Sequence, residues 1–166
     1  MLPFQRPDVD EAQAWLLENG VDSHSSRYLA LAGGAPLTII QWQQDKQIAP
    51  LDSLTESLLR PGNDPLALAA QWDALLKKHL QFSLEMLVEG VQRWLHDLAL
   101  LAGGQSPRYL TDLKVPEGIS LSGPRIATLW RDILRFRRSA RHPLNQLLFL
   151  EDLATHALRA LRSESS

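Results

Sequence analysis

The chain has 166 residues, a formal net charge of −2 and no cysteine. Disulfides and thiolate metal sites are thereby excluded, and the composition suits a reducing compartment. Charged residues break every apolar run before it reaches the ~18–20 residues of a membrane helix, so the sequence reads as soluble and cytoplasmic, without a membrane partner.

One domain or two small ones fit this length. A chain near 150 residues buries about 70% of its unfolded surface, enough for a core without staples. Leu2-Pro3-Phe4 reads as the end of something extended. Asp8 then caps a first helix, with Glu11 at capping-box spacing, Val9, Ala12, Trp15 and Leu16 on one face, and a stop at Asn19-Gly20. A second helix starts near Asp22 or Ser23, carries Tyr28, Leu29 and Leu31, and stops at Gly33-Gly34. Pro36 opens a third, bearing Leu37, Ile39, Ile40 and Trp42. The polar stretch Gln43–Gln47 marks a boundary.

Longer helices follow. Pro50 opens one reaching Arg60, and Pro61-Gly62-Asn63 is a turn. Asp64-Pro65 supplies the cap and first position of the next, which runs through Leu68, Trp72, Leu75 and Leu76. The longest begins at Ser83 and presents Leu84, Leu87, Val91, Trp94, Leu95, Leu98 and Ala102 before Gly103-Gly104. Gly90 inside it costs about 1 kcal/mol against alanine and points to a close helix–helix approach. Residues 104–120 read as a long loop with a turn at Tyr109–Leu113, a segment expected to be mobile. The next helix starts between Ser122 and Pro124, runs to Ala140 and turns Ile126, Leu129, Trp130, Ile133 and Phe136 inward.

The last helix, Asn145 to Arg162, is the most hydrophobic stretch. Leu147, Leu150, Ala154, Ala157 and Leu161 line one face, widened by Leu148, Phe149, Leu153 and Leu158. Such a helix must be covered on several sides, by its own domain or by another chain. No stretch alternates with strand periodicity, and leucine and alanine dominate, so the fold class is all-α.

Motifs for chemistry are absent. None of the four lysines follows a glycine, which rules out a phosphate loop. The five histidines never pair at i, i+4, so no metal site is legible. There is no Gly-x-Ser-x-Gly, and no catalytic constellation appears. Asp97 and Asp152 are the carboxylates that burial would make interesting, with hydrogen bonding to a neighbouring helix or plain solvation as the ordinary readings. The five tryptophans each fit an apolar stripe and read as core.

Charge is uneven. Residues 125–162 hold eight arginines against three acids, a balance of +5 that leaves the remainder at −7. Arg131, Arg135, Arg138 and His142 share one helix face, opposite Leu129, Ile133 and Phe136. That face can be a solvated surface, a bridge to a partner's acids, or a phosphate-contacting surface. A free-standing nucleic-acid-binding module using Arg131, Arg135 and Arg138 is the alternative to a protein-assembly role.

Several ordered segments carry a resemblance. They are Leu2-Pro3-Phe4 before the Asp8 helix with Trp15-Leu16, Ala30-Leu-Ala-Gly-Gly-Ala-Pro-Leu37, Trp94-Leu-His-Asp-Leu98, and Asn145-Gln-Leu-Leu-Phe-Leu-Glu-Asp-Leu153. In that order they resemble the C-terminal two thirds of the delta prime family of bacterial DNA polymerase III clamp-loader subunits. The resemblance implies a small three-helix AAA+ lid-type domain over residues 1–45 and a helical-bundle collar domain over 50–166, with Leu147, Leu150 and Leu153 of the last helix buried within the collar. It also implies a missing nucleotide-binding-like first domain, with Leu2–Phe4 as the tail of its last strand. Gly34-Ala35-Pro36-Leu37 offers no arginine where many AAA+ lids present one, in keeping with a family member that does not hydrolyse ATP. Implied partners are the ATPase tau/gamma subunits and the clamp-opening delta subunit, with indirect contact to the sliding clamp and primed DNA; no cofactor is implied. Arg131, Arg135, Arg138, Leu148, Glu151 and His156 are the candidate subunit-interface residues.

Overall fold

The computed structural model describes residues 8–21 and 25–162, and these are all-helical, with no strand among them. Eight α-helices follow in order: α1 (Val9–Glu18), α2 (Ser25–Leu31), α3 (Pro36–Gln44), α4 (Ile48–Leu59), α5 (Pro65–Lys78), α6 (Leu84–Ala102), α7 (Gly123–Ser139) and α8 (Gln146–Leu158). A 3-10 turn, Arg159–Leu161, extends the last helix. Leu2–Phe4, the expected start of α2 at Asp22 or Ser23, and the last four residues lie outside the described residues.

Helix starts follow side-chain chemistry. Asp64 accepts from the backbone N–H of Leu66 and Ala67, Ser83 from Met86, Ser122 from Arg125, and Asn145 from Leu148. Each bond satisfies an N–H that the helix itself leaves without a partner. α4 begins at Ile48, two residues ahead of Pro50, because the first turn makes no use of the N–H that proline lacks. Gly20, Gly33 and Gly34 have positive φ, which lets the chain reverse after α1 and α2.

α5 lies along α8, α6 along α7, and α4 packs on both α5 and α6. The small group α1–α3 is joined to this bundle through α2: Tyr28 Oη donates to Asp52 at 3.0 Å, and Arg27 pairs with Glu56 at 3.1 Å. Trp72 and Trp94 sit in the core. The Trp72 indole N–H donates to Ser57 Oγ at 2.9 Å, and that hydroxyl donates to the Leu54 carbonyl at 2.6 Å. Gly90 is where α4 and α6 touch: a β-carbon there would lie 2.5 Å from Leu54 Cδ2.

Not every apolar position turns inward. Trp130 keeps 36% of its surface exposed, and Trp15, Val9 and Leu37 are also exposed. Trp130 stands at the edge of the α7 stripe, about 100° round from Leu129. On α8 the core takes Leu150, Leu153, Ala154, Ala157 and Leu158. Leu147, expected inside, is 40% exposed because it lies in the first turn at the rim of the buried arc. α8 is also tied to α5 by polar contacts. Gln146 Nε2 donates to Asp73 Oδ1 at 2.8 Å, while Lys77 Nζ lies 2.6 Å from Asp73 Oδ2. The hydrogen bonds from Lys77 and Gln146 hold the Asp73 carboxyl below its ordinary pKa, against the upward push of burial.

The long segment between α6 and α7 is clasped. Asp97, fully buried on α6, accepts the backbone N–H of Arg108 at 2.9 Å, Tyr109 at 2.9 Å and Leu110 at 2.7 Å. Leu110 and Leu113 go into the core beside it. The segment expected to be mobile is thus fastened at its middle.

Candidate interaction surface

Helix α7 builds the surface by its period. Ile126, Leu129, Ile133 and Phe136 are buried, so Arg131, Arg135 and Arg138 emerge on the opposite, exposed side. Arg131 reaches only Thr128 Oγ1, at 3.4 Å, and Arg135 lies over the Phe136 ring at 5.6 Å. Neither they nor Arg138 form an ion pair among the described residues. The flanking arginines differ: Arg137 donates to Gln92 Oε1 at 3.2 Å and Arg141 pairs with Glu85 at 3.4 Å, both on α6. Between α6 and α7 runs a groove of about 590 Å³, in which Met86 and Leu134 lie among Arg137, Arg138, Arg141, Glu85 and Glu89.

The first turn of α8 is a second exposed patch. Phe136 and Phe149 meet edge-on at 5.7 Å, which packs the inner side of α7, away from the arginine face, against the start of α8. Leu148 is 62% exposed there, Leu144 stands fully in solvent, and Glu151 is half-buried. His156 does not belong to this surface. It is only 5% exposed, and its Nε2 lies 3.2 Å from the Leu129 carbonyl, an acceptor, so that nitrogen carries the proton. Its ring also packs on Phe136 at 5.3 Å, making it a link between α7 and α8. Of the six residues singled out from sequence, the structure leaves the three arginines and Leu148 at the surface, Glu151 at its margin and His156 inside.

The other candidate groups have structural partners or stand alone. Asp97 gives both oxygens to the loop backbone, and Asp152 is exposed on α8. Among the described residues no group of three or more His, Asp or Glu side chains is placed to hold a metal ion. No helix among them is long and apolar enough to cross a membrane. Sequence reasoning missed the cluster around Tyr109, since a single tyrosine in a loop has no periodicity to reveal it. No protein-family model, curated protein or solved structure matches the chain.

Proposed function

We propose that this chain is a structural, non-ATPase part of a bacterial clamp loader, a lid-like three-helix group followed by a collar-like bundle. It assembles through the outer side of α7 and the first turn of α8 with ATPase tau/gamma subunits and the clamp-opening delta subunit. The observation that carries this reading is the face of Arg131, Arg135 and Arg138, three guanidinium groups without a carboxylate of their own among the described residues, with the exposed Leu134 lining the α6–α7 groove beside Arg138. Arginine with a neighbouring apolar anchor is the composition of a protein interface, where a bidentate carboxylate partner replaces water. The resemblance of the ordered motif series supports this choice of partners. The chain contributes position rather than catalysis, and its contacts with clamp and primed DNA are indirect.

Mixing the chain with the collar regions of tau/gamma and delta is expected to give a complex by size-exclusion chromatography with light scattering. The Arg135→Glu, Arg138→Glu variant is expected to lose it. No complex with the unaltered chain would overturn the reading. The same unpaired arginines favour a second reading, direct nucleic-acid binding. That version requires binding by this chain alone, with affinity falling with salt at a log–log slope of about −3 for three neutralised phosphates. Equal DNA binding by the double variant would dismiss it.

A further inference from the structure

The loop that Asp97 fastens carries side chains that the assembly surface does not use. Arg108 and Arg93 hold their guanidinium carbons 5.4 and 5.6 Å from the centroid of the Tyr109 ring. His96 meets the same ring edge-on at 5.4 Å. With Gln92 and Trp130 they line a cavity of about 340 Å³ between the α2–α3 turn, α6 and α7. That volume lies at the lower end of the range for small-molecule sites.

Its lining is net positive, with Arg93 and Arg108 against Glu89, the single carboxylate there among the described residues. Arg93 is engaged with Glu89 at 2.9 Å. Arg108 is exposed and has no ion pair among the described residues. Gln92 accepts from Arg137 through its oxygen, which leaves its amide N–H groups to donate. The site therefore presents donors and cations, with two partly exposed aromatic rings, Tyr109 and Trp130, beside them. It is also set in advance, because three backbone bonds to a buried carboxylate fix the segment that bears Arg108 and Tyr109. A fixed donor set loses little freedom on binding, and that rigidity raises affinity.

We propose that this cavity binds a small phosphate monoester carried on a planar ring, the chemical class of a nucleoside monophosphate. Arg108 and Arg93 donate to the phosphate oxygens, Gln92 adds a donor at its edge, and the ring lies against Trp130, while His96, whose Nδ1 faces Asp97, serves as a wall of the site. Two guanidinium groups fit a dianion with three peripheral oxygens better than they fit a single carboxylate. The site shares Glu89 and the Arg137–Gln92 hydrogen bond with the α6–α7 groove, but Arg93 and Arg108 take no part in that surface, so loss of Arg108 tests the site alone.

Titration calorimetry on the full chain, with AMP, inorganic phosphate and adenosine as separate probes, tests it. AMP is expected to saturate one site, phosphate to bind the same site more weakly, and adenosine to give no heat. Arg108→Ala is expected to weaken AMP by at least about tenfold, the loss of a charge-assisted contact, while leaving the melting temperature unchanged. Trp130→Ala is expected to weaken AMP but not phosphate. No saturable AMP binding, adenosine binding as tightly as AMP, or undiminished AMP binding by the Arg108→Ala chain would each overturn the proposal and leave the arginines as staples on the Tyr109 ring.

Discussion

Asp97 offers only acceptors, and the three N–H groups turned toward it come from consecutive residues of one loop. Asparagine keeps the shape but replaces one oxygen with a donor, so it faces these N–H groups with the wrong polarity. The Asp97→Asn chain is expected to lose about 2–3 kcal/mol or more in urea unfolding, because buried donors are left without partners. Trypsin should also cut the variant faster at Arg108 and Lys114, as the fastened segment comes loose. The sequence showed Asp97 only as an acid behind Trp94-Leu95, and spacing along a helix cannot tell which distant amides will converge on it. His156 was misplaced for a related reason. Its burial depends on the Leu129 carbonyl of another helix, which no pattern within α8 encodes.

Helices are where the sequence was most informative, since caps and periodicity are local. Asp64 caps its helix as its position suggested, and Ser83, Ser122 and Asn145 cap the helices expected to start at or beside them. Gly90 was read as a close approach, and Leu54 is the side chain that comes close. Pairings between helices were not legible, and the Asp73 link from α5 to α8 is one of them. Its pKa is lowered in the folded chain, so its contribution to stability is complete above the ordinary carboxyl value of 3.8 and is lost as pH falls through the folded value. Unfolding free energy measured from pH 6 downward is therefore expected to fall more steeply for the natural chain than for Asp73→Asn below about pH 4. Equal slopes would mean that the Lys77 and Gln146 contacts do not persist in solution.

At the scale of the molecule, two features of the sequence survive in the structure: the all-α class and the arginine stripe, with Arg131, Arg135 and Arg138 exposed on one side of α7. The exposed rim of α8 explains part of its excess of leucine, for Leu147 and Leu148 remain outside while five other apolar positions enter the core. The two polar ties on the bundle also differ in the chain they enclose. Asp97 bonds to residues 11 to 13 positions away, whereas Gln146 and Asp73 are 73 positions apart. Closing the longer loop costs more entropy before any contact is gained, so the clasp at Asp97 forms early and α8 docks late. In stopped-flow experiments Asp97→Asn is therefore expected to slow refolding, while Gln146→Ala mainly speeds unfolding. Equal effects of both on the refolding rate would refute this order. On that order α5 keeps its apolar side open during synthesis until α8 has emerged to cover it. The most hydrophobic helix of the chain acts as a latch, closed last.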